Sequence, residues 1–288
     1  MKTGASIGLL AGVVLVSAVA YLGKNISRPK PSTAAASEPA PARKSSPIVV
    51  ELFTSEGCSS CPPADTLLTK LEKTQPVAGA NVIALEQHVA YWNRLGWEDP
   101  FSSDEFNLRQ QGYANRLGGE GVYTPQMVVD GGLGFVGSDQ QQARRAISAA
   151  EENPKAEIHL VLNSDTTQGS TAQQLSIEAS HVPSVTSGDK LEVILAITED
   201  KVSSNVTRGE NSGLSLQHNS VVRSLRTVGE ATLDNESKYS TKTPVTFNKD
   251  WKKENVKAVV FLQEHSSRRI VGAASIPISG TELQQPSE

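Results

Sequence analysis

Residues 50–65 read Val50-Glu51-Leu52-Phe53-Thr54-Ser55-Glu56-Gly57-Cys58-Ser59-Ser60-Cys61-Pro62-Pro63-Ala64-Asp65. An apolar, strand-forming run from Ile48 to Phe53 stops at a Gly57-Cys58 turn. Just beyond it, Leu67, Leu68 and Leu71 fall on one face of a helix. A C-x-x-C between a strand and a helix brings two sulfurs within bonding reach, and helix amides there stabilise a thiolate. Cys58, the more exposed of such a pair, then attacks a disulfide, and Cys61 resolves the mixed disulfide. A residue before proline avoids the α region, so the helix is expected to begin at Pro62 or Pro63, with its dipole further from Cys58. A purely structural bridge over so short a loop would add only about 2 kcal/mol. The chain has two cysteines in all, which excludes four-cysteine zinc sites.

Outward from this stretch, Asn81–Leu85 reads as a buried strand and Ser103–Leu117 as a helix with Ser103 as its N-cap. Gln126–Asp130 and Leu133–Val136 form a strand pair turned by Gly131-Gly132, and Ser138 caps a last helix through Ala150. The order β-α-β-α-β-β-α is that of a thioredoxin-like α/β domain, expected over 48–153. From Lys155 the pattern changes to β-type runs at 158–162, 174–179, 191–198, 221–228, 243–247 and 256–263, separated by Gly, Ser, Asn and Asp clusters. An all-β sandwich-like domain is expected over 154–280, joined at Asn153-Pro154, with a disordered tail over 281–288.

Further residues carry chemistry in this reading. Thr124-Pro125 precedes the third strand where the fold places a cis-proline opposite the cysteines, and its backbone is expected to bind an extended substrate segment. Glu51 interrupts an apolar strand; it is either a buried proton relay for Cys61 or a half-exposed strand carboxylate. His88 and Trp92 belong to an aromatic, polar segment after the second strand and are candidates to line the site, whereas Trp97 reads as packing. His218 between strands reads as structural. No phosphate loop, Ser/His/Asp arrangement or metal-ligand spacing is legible, so no cofactor and no metal is expected.

Lys2, the uncharged stretch Ile7–Leu22 and the Ala18-Val19-Ala20 pattern over residues 1–23 read as a signal peptide or a retained membrane anchor. The Pro/Ala/Ser-rich residues 24–47 read as a disordered linker. The chain is therefore expected to be exported, periplasmic or membrane-anchored and facing out. Residues 1–47 hold six of the 27 basic side chains and one of the 31 acidic ones, so the remainder is more acidic than the net charge of −4 conveys. That sign argues against nucleic acid as a partner.

The run Val50–Asp65 closely resembles the signature of a bacterial family of secreted thioredoxin-like proteins catalogued as a domain of unknown function. His88-Val89, Tyr91-Trp92, Leu95-Gly96-Trp97, Asp99-Pro100-Phe101, Tyr123-Thr124-Pro125-Gln126, Gly209-Glu210-Asn211 and His218-Asn219 resemble its later blocks. The chain departs from that pattern at Ala90 and Asn93, where the family usually has acids. The resemblance implies export and a thioredoxin-like fold, and it names no substrate. The expected function is a thiol–disulfide oxidoreductase, reductase or isomerase-like, acting on protein thiols or disulfides with an unidentified redox partner. The alternative is a non-enzymatic envelope binding module whose pair is a redox switch or handles copper or haem intermediates.

Overall fold

The structure is a computed structural model and describes residues 45–118, 121–164, 173–233, 236–246 and 248–278. The expected signal or anchor (1–23), the linker up to residue 44 and the tail (281–288) lie outside these residues. Strand β1 (Ser46–Thr54) takes up the last two residues assigned to the linker. Its run of branched side chains suits a central strand, buried on both faces. It pairs parallel with β2 (Ala80–Val89) and antiparallel with β4 (Gln126–Val129), which turns into β5 (Leu133–Val136).

Helix α1 (Pro62–Thr74) has prolines in its first turn, where no backbone donor is lost, and ends at Gln75 in the left-handed region. Cys61 caps it with helical dihedrals despite preceding Pro62. Helix α2 (Asp104–Leu117) is capped by the Ser103 hydroxyl, which accepts from the Glu105 amide. Helix α3 (Gln140–Glu151) is capped by Asp139 in place of the expected Ser138: its carboxylate accepts from the Gln142 amide at 2.8 Å. Ile48, Val50 and Leu52 pack against α1 and α3, while Val49 and Phe53, on the opposite face, meet Phe106 and Tyr113 of α2.

The expected fold class, a thioredoxin-like domain followed by an all-β sandwich-like domain, is overturned. The protein is mostly β, and its principal sheet runs across both halves of the chain. The later strands are β6 (Glu157–Ser164), β7 (Gln173–Ser180), β8 (Leu191–Glu199), β9 (Val202–Asn205), β10 (Ser215–His218), β11 (Val221–Glu230), β12 (Tyr239–Val245), β13 (Val256–Glu264) and β14 (Ile270–Pro277). With the short β3 (Ser102–Ser103) beside β2, nine strands form one mixed sheet in the order β14-β13-β8-β11-β2-β1-β4-β5. The seam is narrow. One parallel bridge joins Val221 to Glu86, and the Glu86 amide donates to Ser220 O at 2.9 Å.

A shared core explains why the halves do not separate. Val49, Phe53, Ile83 and Tyr113 pack with Ile194, Ala196, Val222 and Phe261 from the later strands. The sheet also bends back on itself, so that the Ile270 amide of β14 donates to Asp130 O just after β4. Strands β6, β7 and β12 make a separate three-stranded sheet over the other face of β8 and β13. Alternation along β13 serves both cores: Val256, Ala258, Val260 and Leu262 face that small sheet, and Val259 and Phe261 face β1.

Candidate functional site

The C-x-x-C loop leaves the end of β1 and is closed by a Cys58–Cys61 disulfide with Cα atoms 5.5 Å apart. Its turn is held by Cys58 N–H to Ser55 O and Cys61 N–H to Cys58 O, both at 3.1 Å. Cys61 O then accepts the first helical bonds, from Ala64 and Asp65. Contrary to expectation, Cys58 is not exposed. It retains 1% of its accessible surface and Cys61 none, while Ser59 and Ser60 between them face solvent.

The cover comes from the far half of the chain. Asn211 Nδ2 donates to both Glu56 O (2.8 Å) and Cys58 O (3.0 Å). Glu210 accepts from the Ser59 amide and hydroxyl at 2.9 and 2.7 Å, and these bonds lower its pKa. The segment Gly209–Gly213 thus latches the cysteine loop through three backbone groups and the Ser59 hydroxyl. Trp92 stands on another side, with its Cβ 3.4 Å from where a Gly57 side chain would begin. Its indole N–H donates to Thr124 Oγ1 at 2.7 Å. The Thr124-Pro125 bond is cis. Pro125 reaches the start of α1 across Gly137, where an added Cβ would meet Pro125 at 3.1 Å and Ala64 at 3.2 Å.

Glu51 is not part of this arrangement. Alternation along β1 turns it to the α2 face, where Arg109 grips both its oxygens, at 2.5 and 3.0 Å. Gln87 donates to it at 2.7 Å and the Tyr113 hydroxyl donates as well. Its acceptor capacity is taken up by these partners, so it cannot serve Cys61 as a proton relay.

A different set of titratable groups lies behind the cysteine loop. Strand β2 does not stop at Leu85 but continues through Val89, so Glu86 and His88 are strand residues on one face. His88 Nδ1 meets Asp99 at 2.7 Å and its Nε2 meets Glu86 Oε1 at 3.2 Å. His218, the last residue of β10, places Nδ1 2.6 Å from the same Glu86 oxygen and Nε2 3.2 Å from Glu56. Trp97 donates to Glu56 at 2.9 Å, and Ser204 donates to it too. Asp65, in the first turn of α1, accepts from Thr54 at 2.6 Å and lies 4.0 Å from His218. Phe101 seals the group with its ring centroid 5.4 Å from that of His88 and 5.8 Å from that of His218. All six of these titratable side chains are buried.

Burial works against charge on His218, but the bonds to Glu56 and Glu86 outweigh it and raise its pKa to about 9. His88 is raised well above its usual value, burial again being overcome, here chiefly by the Asp99 carboxylate. Burial, together with the Glu86 charge, pushes Asp65 up to about 7. Glu86 and Asp99 are held below the usual carboxylate range: burial opposes this, and the imidazoles prevail.

These directions fix a pH dependence. Both histidines are raised above an unfolded value near 6.5, so each contributes stability that is present below that pH; the share of His218 is lost as pH climbs through about 9, and that of His88 is lost in the same direction. Asp65, raised from an ordinary 3.8 to about 7, adds a loss that develops between those values. Glu86 and Asp99, being depressed, contribute above the ordinary carboxylate range and lose their share as pH falls through it. The melting temperature of chelator-treated protein is therefore expected to decline from about pH 6.5 to 9. A His218→Gln chain should show a shallower decline; an unchanged slope would refute the assignment.

Cys58, Cys61, Trp92, Thr124 and Pro125 gather around the end of β1, and His88 lies in the buried group beneath. Glu56, Asp65, Glu86, Asp99, Glu210, Asn211 and His218 were not singled out as site residues. All of them but Glu86 lie in the stretches Val50–Asp65, Asp99-Pro100-Phe101, Gly209-Glu210-Asn211 and His218-Asn219, which do not reveal what they touch. Each of Glu86, His88 and His218 also offers one ligand atom, all within 4.8 Å of one another. Sequence spacing had suggested no such set.

Fold and site together define a mostly β protein whose buried disulfide sits above an imidazole–carboxylate cluster. The chain belongs to the protein family of unknown function DUF1223, whose model matches residues 49–263. It is similar to the crystal structure of protein AGR_C_4864 from Agrobacterium tumefaciens, with 28% identity and a TM-score of 0.65 over 85% of this chain and 100% of that one. A Pseudomonas fluorescens alkylpurine DNA glycosylase, AlkC, aligns at 14% identity over 46% of this chain and 33% of its own, with a TM-score of 0.22. No curated protein matches the chain.

Proposed function

We propose that this protein is an exported thiol–disulfide oxidoreductase that reduces or reshuffles protein disulfides through Cys58 and Cys61. The observation that carries the reading is the disulfide itself, the sole cysteine pair, seated where a strand meets a helix N-terminus. Export rests on the N-terminal sequence. In the reduced chain the Cys58 thiolate attacks a substrate disulfide, forming one S–S bond and releasing one substrate thiolate. Cys61 then gives up its proton and attacks Cys58, releasing the second substrate thiolate and leaving the chain oxidised. A dithiol donor must supply two electrons to restore it. The proton that Cys61 gives up passes to a solvent base, because the Glu51 carboxylate is taken up by Arg109, Gln87 and Tyr113.

Burial of Cys58 means that the Gly209–Gly213 latch must lift before a substrate is engaged. Two hydrogen bonds from a buried Asn211 amide contribute about 2 kcal/mol together. An Asn211→Ala chain should therefore be reduced by a small thiol about ten- to thirtyfold faster, since the open state is that much more populated. An unchanged rate would remove the latch from the mechanism. The function itself is tested by multiple turnovers of a model protein disulfide with a dithiol donor. A rate no faster than the donor alone would reject it. The same burial favours a second reading, a redox switch without turnover, for which reduction would stop at one equivalent per chain.

A further inference from the structure

The geometry points to a divalent transition-metal site of the zinc class, built by Glu86, His88 and His218 beneath the disulfide. It goes beyond the cysteine chemistry and uses neither sulfur. The inner atoms are His88 Nε2, His218 Nδ1 and the Glu86 carboxylate, an N2O set that suits zinc and its first-row neighbours. The two imidazole nitrogens converge on one oxygen, Glu86 Oε1, at 3.2 and 2.6 Å. Ligand atoms about 2.0–2.1 Å from a tetrahedral ion stand about 3.3 Å apart, so the two nitrogen–oxygen separations are within an ångström of that spacing and the whole set lies within 4.8 Å.

Three features separate this cluster from an ordinary buried ion-pair network. Glu86 Oε2 is fully buried and has no hydrogen-bond partner, a costly condition that a bound cation would relieve. Each histidine has its outer nitrogen on a carboxylate: His88 Nδ1 on Asp99 and His218 Nε2 on Glu56. Such partners fix ring orientation and raise ligand basicity at metal centres. They are themselves fixed, Asp99 by the Glu56 and Phe101 amides and Glu56 by Trp97 and Ser204. Asp65 Oδ2, 4.0 Å from His218 Nδ1, is placed to approach the fourth position. An ion here needs both inner imidazole nitrogens free of protons, so binding releases any proton that they carry. It would also tie β2 to the end of β10, next to the single-bridge seam of the sheet.

The test uses the oxidised chain, unfolded in denaturant with a chelator and refolded with zinc(II) or cobalt(II), because the donors are buried. Metal content is measured after free ion is removed, and the cobalt form is read by its visible d–d absorption. One ion per chain is expected, with nitrogen and oxygen ligation and no thiolate charge-transfer band. Glu86→Gln, which keeps the shape of the side chain, should weaken binding about a hundredfold or more. A Cys58→Ser/Cys61→Ser chain should bind as the parent does. Correctly refolded parent protein that holds no ion would overturn the site. So would binding that survives Glu86→Gln and is lost with the cysteines. Turnover and metal content are read separately, so either proposal can fail alone.

Discussion

A Cys58→Ser chain is expected to lose all turnover of protein disulfides, while a Cys61→Ser chain should stop at a covalent mixed disulfide with its substrate. The asymmetry follows from the order of bond exchange in the proposed function. The first sulfur makes the bond to substrate, and only the second can break it. With two cysteines in the chain, no third thiol can substitute for either. Both variants should fold, because the latch holds the loop through Glu56 O and Cys58 O and not through sulfur. Losing the short disulfide loop itself removes only about 2 kcal/mol. The measurement is a turnover assay paired with non-reducing electrophoresis and intact mass of the trapped species. Residual turnover by Cys58→Ser would sink the mechanism, and a mixed disulfide trapped on Cys58→Ser would invert the roles.

The cysteine loop was legible because its signals are local: an apolar run, a turn, two prolines in a first helical turn, then leucines on one face. Ser103 announced α2 for the same reason. Strand β2 was cut short at Leu85 because Glu86, Gln87 and His88 read as the start of a polar loop. They sit in a buried strand because partners reach one atom or more of each: His218 and His88 meet Glu86 Oε1, Glu51 accepts from Gln87 Nε2 and Asp99 meets His88 Nδ1. The single sheet escaped detection for a related cause. Alternation along β8, β11 and β13 states that each strand has two faces, not which strand lies beside it. β14 was missed because small residues from Gly272 to Ala274 weaken its pattern. The buried cluster draws on five separate stretches of chain, so no spacing rule could have assembled it.

The shared core makes the second large expectation one about cooperativity. Arg109→Ala should cost about 3–5 kcal/mol, the range for leaving a buried charge without its partner. Glu51 is fully buried, and Arg109, of which 8% is exposed, binds both its oxygens. Arg109 also donates to the Tyr113 hydroxyl at 3.0 Å and to Gln263 of β13 at 3.1 Å. Tyr113 is raised well above its ordinary pKa, first by burial, so it stays a neutral donor to Glu51 when Arg109 is gone. It cannot compensate the charge. A domain of ordinary stability has about 5–15 kcal/mol in hand, so the loss is a substantial share of the whole. Because Glu51 lies in β1, Arg109 in α2 and Gln263 in β13, the two halves should weaken together. Denaturant unfolding followed by tryptophan fluorescence and by far-ultraviolet dichroism should give coincident transitions, both shifted to lower denaturant. Adding Glu51→Gln to the variant should restore part of the loss, since it removes the uncompensated charge. A shift below about 1 kcal/mol, or two separated transitions, would show that this pair does not join the halves.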